Sequence, residues 1–332
     1  MKFLTLAILI VCLSYALLKP HNFDVEKWEK FKTKHGKKIH KNNELKRMEK
    51  FFEKLAKIEA QNDEYAQGKT SYYTDVNEMT DMDADELKHK TGFIPPQSSK
   101  SKRSISVNKY AFGPGRPTFK MFSADNGTLL PASVNWARSG WADPVWDQQD
   151  CGSCWAFSTD FIDCSGYLST KGCSGGSQAN ALEYSILNGT TTAGAYKYLN
   201  AEGTCQTGVR QANPVYKITS FLQLESNHDT LKQAIAQLGP VTVSIDAEDG
   251  LFNYKGGIYN GKQNGVMECS ADRINHAVTV VGYGTDATTG LDYWLIKNTW
   301  GTTWGEGGYV RFLRTKENLC GIYQYMYVPV IV

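Results

Sequence analysis

The sequence predicts an α+β chain: a helical N-terminal region, then a mixed region in which helices come first and an antiparallel sheet follows. Two observations carry this reading. Up to about residue 90 the apolar residues recur at helical spacing in stretches free of Gly and Pro, whereas after Leu130 glycines and aromatics become frequent and short β-like runs appear. A third observation is charge. Residues 19–126 carry 22 Lys/Arg against 16 Asp/Glu, and residues 127–332 carry 13 against 18, so a basic region precedes an acidic one within a net charge of +2.

Taken in order, residues 1–16 read as a signal peptide: Lys2, an apolar run from Phe3 to Leu13, then the small residues Ser14 and Ala16. The run is shorter than the ~20 residues a spanning helix needs, so no stable membrane insertion is expected. The chain is expected in the secretory pathway, in a lysosome-like compartment or outside the cell, where disulfides persist. Phe23 to Phe31 places Val25, Trp28 and Phe31 on one helical stripe, and Asn43 to Asn62 does the same with Met48, Phe51, Phe52, Leu55 and Ile58. From about Thr91 to Thr128 the chain is rich in Ser, Lys, Gly and Pro, the composition of a flexible, cleavable connector. Strands are expected at Val241–Ile245, Ala277–Val281, Tyr293–Ile296 and Gly308–Phe312, and a helix at Thr230–Leu238.

Of eight cysteines, Cys12 leaves with the signal peptide. Seven remain, which is three disulfides and one free thiol. Asn126 and Asn188 each open an Asn-Gly-Thr tripeptide, a glycosylation acceptor on the secretory route. Nucleic-acid binding is a poor account of the basic region, because acids are mixed through it and no recognition motif appears. Attraction between the two regions fits better.

The chemistry centres on Gln148-Gln-Asp-Cys-Gly-Ser-Cys154-Trp-Ala-Phe. A C-x-x-C pair reads as a redox motif, half a zinc site or a nucleophile with a structural neighbour. Zinc lacks a second close Cys/His pair, and no thioredoxin-like βαβ context is present. Cys154 stands where a turn enters an apolar run, so a helix N-terminus there would favour a thiolate. His276 precedes a β-like run, Asn298 lies in a turn that can orient an imidazole, and Gln148 is a candidate oxyanion donor.

These residues in this order, with Gly172-Cys-Ser-Gly-Gly176 and Asn298-Thr-Trp-Gly…Trp-Gly-Glu306, resemble the papain-like cysteine proteases, nearest the cathepsin L-like branch. The resemblance implies a two-domain fold, a helical domain and an antiparallel β-barrel-like domain, preceded by an inhibitory helical propeptide. The implied bounds are residues 17–128 for the propeptide and 129–332 for the peptidase. It implies Cys154 as nucleophile, His276 as general acid/base, Asn298 as orienting residue and Gln148 as oxyanion donor. The implied disulfides are Cys151–Cys173, Cys164–Cys205 and Cys269–Cys320. Gly175 and Gly176 would pair with substrate backbone, and Trp300 would shield the His–Asn contact. Ser177, Ser244, Ile274, Ala277 and Tyr325 would border the second subsite, made shallow by Tyr325. In the propeptide, Arg47, Phe51, Ile58 and Asn62 match the family's long-helix motif, while Asn43 and Lys54 depart. Asn77 and Asp81 match a second motif, from which Asp75 and Met79 depart. The implied activity is that of a monomeric endopeptidase made as a zymogen, acting on polypeptides, inhibited in cis by its propeptide and needing no metal or organic cofactor.

The sequence departs from the family in two places. Gln149 stands where the family has Gly. Only nine residues, Trp155 to Asp163, separate Cys154 from Cys164, about two and a half helical turns at most. Most of the central helix and its following loop is therefore missing, and a void is expected there. A segment lost from the coding sequence, a catalytically dead homologue or protease-inhibitory binder, and an active, repacked enzyme are the three explanations.

Overall fold

In the N-terminal region the first helix is set by a local cap, and a ring cluster joins it to the second. The structure, a computed structural model, describes residues 24–96, 120–125, 127–139, 143–156 and 159–331. The expected signal peptide, Asn126 and most of the connector lie outside the described residues. Asp24 caps helix α1 (Val25–Lys34) by accepting the Lys27 N–H at 3.1 Å. Trp28 and Phe31 of α1 meet Phe51 of α2 (Glu44–Ala66), with ring centroids 5.5 and 4.5 Å from it. Met48, Phe52 and Leu55 pack around this cluster. A second face of α2 buries Ile58 together with Lys54 and Gln61, two polar residues that apolar periodicity does not register. Asn62 pins strand β1 (Tyr72–Thr74) by a reciprocal pair of 2.9 Å hydrogen bonds with the Thr74 backbone. Arg47 joins the two propeptide motifs: it pairs with the fully buried Asp81 at 3.1 Å and with Glu86, and Lys37 reaches the same Asp81 at 2.7 Å. Asp83 and Glu86 form a capping box on α3 (Ala84–Leu87).

The remaining strands among the described residues are β2 (Lys120–Phe122), β3 (Val134–Asn135), β4 (Ser220–Leu224), β5 (Val241–Ile245), β6 (Tyr254–Tyr259), β7 (Lys262–Gln263), β8 (Val266–Met267), β9 (His276–Thr285), β10 (Asp292–Lys297), β11 (Tyr309–Leu313) and β12 (Met326–Val330). Apart from the small β7–β8 pair they form one sheet with β1, in the order β1-β6-β11-β10-β9-β5-β12-β4-β2, with β3 on β9. Most neighbours are antiparallel, and each of the four expected strands is present. Val241, Val243 and Ile245 are fully buried, as are Leu231, Ala234 and Ile235 of a helix at His228–Gln237. The connector departs from expectation at both ends. Lys120–Phe122 is a strand parallel to β4, and the backbone of Thr91–Ile94 is tied down in the cleft described below.

The other lobe holds α4 (Thr159–Cys164), α5 (Gln178–Leu187) and α6 (Thr207–Ala212). The helix expected to start at Cys154 is not formed: residues 151–156 are non-helical, and the next helix described is Thr159–Cys164. Short backbone bonds from Ser153 to Cys151 and from Ala156 to Ser153 curl this loop. The disulfides Cys151–Cys173 and Cys164–Cys205 tie both its ends, and Cys269–Cys320 closes a third link in the β lobe. The short stretch docks through Asp160, fully buried, which accepts from Thr190 Oγ1 at 2.9 Å and lies 3.6 Å from Arg210 Nε. Phe161, Ile162, Leu168, Ala181 and Tyr184 share the local core. The acceptor tripeptide at Asn188 is engaged here: Asn188 Nδ2 donates to the Tyr167 hydroxyl and the Thr190 hydroxyl serves Asp160. Among the described residues no helix is long and apolar enough to cross a membrane.

Candidate active site

His276 opens β9, so a strand paired on both flanks fixes its backbone. Its ring is completely buried. Nε2 lies 2.8 Å from Asn298 Oδ1, and the same oxygen accepts the Thr299 N–H at 2.8 Å. That second bond identifies the atom as the amide oxygen, so Nε2 carries the proton and Nδ1 keeps a lone pair. Nδ1 is buried with no partner. Trp300 stacks on the imidazole at 4.6 Å, with Phe252 stacked on the indole at 5.0 Å. Among the described residues Cys154 is the free cysteine, and its Sγ accepts the N–H of Ala277, the residue after His276, at 3.4 Å. The sulfur thus meets, across the two lobes, the strand that carries the imidazole.

Gln148 is held by Thr299, a residue the sequence reading did not single out. The Gln148 N–H donates to Thr299 O at 2.8 Å, and Thr299 Oγ1 donates to Gln148 Oε1 at 2.5 Å. Gln148 Nε2 is thereby turned outward, donating to Cys151 O at 3.0 Å and reaching Thr91 O at 3.5 Å. Gln149 has φ +51°, the left-handed region that a glycine occupies without strain.

The cleft between the lobes is filled by residues 91–94. The N–H groups of Gly92 and Phe93 both donate to Asn275 O, at 3.0 and 2.9 Å. Ile94 N–H donates to Gly176 O at 2.7 Å, and Gly176 N–H to Gly92 O at 2.9 Å, a parallel bridge. Gly92 has φ +147°, and a Cβ on it would lie 2.0 Å from Gly152 O, so only glycine passes beside the nucleophile loop. A Cβ on Gly175 would lie 2.5 Å from Gly92 O, and one on Gly176 2.5 Å from the Trp155 indole. Phe93 is buried in one cluster with Ile274 and Ala277, and its ring lies 5.2 Å from that of Tyr325. Trp300 Nε1 donates to Lys90 O at 2.7 Å. Ser177 and Ser244 turn inward instead: Ser177 Oγ caps α5 by accepting from Asn180 N–H at 3.2 Å, and Ser244 Oγ donates to Gln178 Oε1 at 3.0 Å.

Burial dominates the electrostatics. It pushes the Cys154 thiol up to about 12, against backbone hydrogen bonds including that of Ala277, and pulls the His276 imidazole down to about 4, against its bond to Asn298. With the propeptide seated, the pair is a neutral thiol beside a neutral imidazole.

The model of the papain family cysteine proteases matches residues 130–162 and 158–330, and that of the cathepsin propeptide inhibitor domain matches residues 28–87. The chain belongs to the papain family of cysteine proteases. The two matched stretches of the protease model meet in the short segment after Cys154. Among relatives in this family, Cathepsin R of Mus musculus is 34% identical over 92% of each chain, and Cathepsin L of Sarcophaga peregrina is 33% identical over 97% of each. The solved structure of digestive procathepsin L2 proteinase from Tenebrio molitor larval midgut superposes with a TM-score of 0.78 at 32% identity, covering 92% of this chain and 99% of that one. The fold is that of a procathepsin: a propeptide inhibitor domain followed by a papain-family protease domain.

Proposed function

We propose that this cathepsin L-like zymogen matures to an endopeptidase in which Cys154 and His276 do the chemistry. The observation that carries the reading is the tautomer: Asn298 fixes the proton on Nε2 and leaves Nδ1 as the free base, while the N–H of the next residue, Ala277, holds the Cys154 sulfur. When the propeptide leaves, water re-enters and lifts the burial that keeps the pair neutral. Nδ1 then takes the thiol proton, and the sulfur attacks a peptide carbonyl. The developing oxyanion is held by Gln148 Nε2 and the Cys154 N–H. The imidazolium returns its proton to the leaving amine. Water, deprotonated by Nδ1, then cleaves the thioester and frees Cys154.

Substrate is an extended polypeptide paired to the Gly175–Gly176 strip, with an apolar side chain between Ile274, Ala277 and Tyr325. Phe93 filling that place supports the choice. Ser177 and Ser244 shape its floor through backbone rather than hydroxyl groups. We assign residues 17–128 to the removable propeptide and 129–332 to the mature monomer, on a secretory route.

The test is to express the full chain, acidify it and follow a fluorogenic peptide carrying an apolar residue at the second position before the scissile bond. Cleavage abolished by Cys154→Ala and by iodoacetamide is expected. A folded sample without thiol-dependent cleavage refutes the reading. It would favour the alternative of an inactive, protease-inhibitory homologue, whose motive is the short segment from Trp155 to Asp163.

A further inference from the structure

We infer that Tyr198 is a positioning residue that holds the two oxyanion donors in register; the inference rests on the peptidase reading above. The need for it comes from the shortened segment. With residues 151–156 non-helical, no helix starting at Cys154 anchors the loop that carries Gln148 Nε2 and the Cys154 N–H. The loop is tied to the remainder of its lobe by the Cys151–Cys173 disulfide, by the Gly152 N–H donating to Cys173 O at 2.9 Å, by the Asp150 N–H donating to Asn200 Oδ1 at 3.0 Å, by Trp155 Nε1 donating to Gly172 O at 3.3 Å, and by Tyr198. Of these five ties, Tyr198 alone reaches the backbone of Gln148 and the residue before Cys154 at once. Its hydroxyl donates to Gln148 O at 2.6 Å. A phenol has one proton, so its oxygen accepts from Ser153 Oγ, 2.9 Å away.

Thr299 grips Gln148 from the β lobe at its N–H and side chain, while Tyr198 grips its carbonyl from the other lobe. Burial raises the Tyr198 pKa, so the hydroxyl stays protonated and a donor across the working range. A cavity of about 30 Å³ lies beside the bridge, lined by Trp146, Ala156 and Ala193 together with Gln148, Ser153 and Tyr198. The loop therefore has room to relax on that side once the hydroxyl is gone, and displacement of oxyanion donors is paid in the transition state rather than in substrate binding.

The experiment uses the full chain, activated in acid, as wild type, Tyr198→Phe and Ser153→Ala. For Tyr198→Phe, kcat is expected to fall about 10- to 100-fold at nearly constant KM. Affinity for a peptide aldehyde, which forms a tetrahedral adduct, should fall by a similar factor. Alkylation of Cys154 by iodoacetamide needs no oxyanion hole and should be unchanged. Ser153→Ala, which removes half the bridge and leaves the ring in place, should give a smaller loss of the same kind. Wild-type kcat and aldehyde affinity in Tyr198→Phe overturn the inference, as does an alkylation rate that falls in step with kcat. If Tyr198→Phe does not fold, an unchanged kcat in Ser153→Ala overturns it. An inactive wild type sinks the peptidase reading and this inference together, whereas an active wild type with insensitive variants sinks only the inference.

Discussion

At the scale of single residues, Cys154 and His276 are governed by what covers them. With Gly92 and Phe93 seated over the site, burial pushes the thiol up to about 12 and the imidazole down to about 4. A free cysteine ionises near pH 8.5, so a thiol at the higher value holds far less of the reactive thiolate at neutral pH. Iodoacetamide should therefore label Cys154 at pH 7 at least about 100-fold more slowly in the intact zymogen than in the processed enzyme. Timed alkylation read by mass spectrometry measures both, and equal rates would show that the propeptide does not control the nucleophile's ionisation. The residues of the site were legible to different degrees. Cys154, His276, Asn298 and Gln148 stand in motifs of adjacent letters. Thr299 stands in the Asn298-Thr-Trp-Gly motif and Tyr198 in none, yet the role of neither was legible: they act on Gln148 across 151 and 50 residues, and a Thr or Tyr hydroxyl carries no local mark of its distant partner.

At the scale of elements, α2 shows why periodicity reads one face and misses another. Its stripe through Met48, Phe51 and Leu55 packs on α1, as apolar spacing implies. The protease-facing side uses Lys54, buried 3.6 Å from Asp249, and Lys57, 2.8 Å from the same carboxylate on a short helix at Asp249–Phe252. Lys54 is one of the positions where the propeptide departs from the family motif. Removing the carboxylate leaves the buried Lys54 without its partner, so Asp249→Asn should weaken propeptide docking by about 2 kcal/mol, between an exposed and a buried pair. Faster self-processing at a fixed acid pH is the readout; an unchanged rate would rule the contact out as a determinant of docking. Burial pushes the Asp249 carboxyl up, but the charge of Lys54 and the hydrogen bond from Lys57 outweigh it and hold the carboxyl below its ordinary value. A depressed carboxylate contributes stability that is present above the unfolded value of about 4 and is lost as pH falls through the folded value. This contact therefore persists at pH 5 and fails only in stronger acid.

An earlier trigger sits at the end of α1. His35 packs on Phe31 at 5.1 Å with Nε2 buried and unpartnered. Burial first, then the charges of Lys34 and Lys37, lower its pKa against the pull of Glu78 and Asp81. A lowered imidazole pKa means that the unfolded propeptide takes up the proton first, so stability is lost as pH falls below about 6.5. The zymogen's melting temperature should therefore drop between pH 7 and pH 5, and His35→Gln should flatten that drop. An identical drop in the variant would remove His35 as the cause. The sequence reading attracts a basic region to an acidic one; the acid sensitivity expected from the contacts falls on a histidine that titrates first and a carboxylate that titrates last.

At the scale of the whole molecule, the strands of the β lobe were legible because alternating burial in a sheet writes itself into runs such as Val241–Ile245. The other lobe was less legible. A shortened segment after Cys154 implied a missing helix and a void, but sequence spacing does not show what replaces a helix. What holds the short segment is covalent and polar: two disulfides, the buried Asp160 and the bends around Cys154. Stability of this lobe should accordingly depend on its bridges. Replacing Cys164 and Cys205 by Ser, which opens a link across 41 residues, should cost about 3 kcal/mol, read as a lowered denaturation midpoint. A midpoint equal to wild type would show that side-chain packing alone holds the short segment.

Strand β1 has an afterlife of its own. It belongs to the propeptide, yet it completes the border of the sheet by pairing Tyr72 and Tyr73 with Gly257 and Gly256 of β6, and Ser71 O accepts the Ile258 N–H at 2.7 Å. Removal of the propeptide would take that border away and bare a row of main-chain donors and acceptors on β6. An extended strand of suitable register would find on that seam a template already cut to fit.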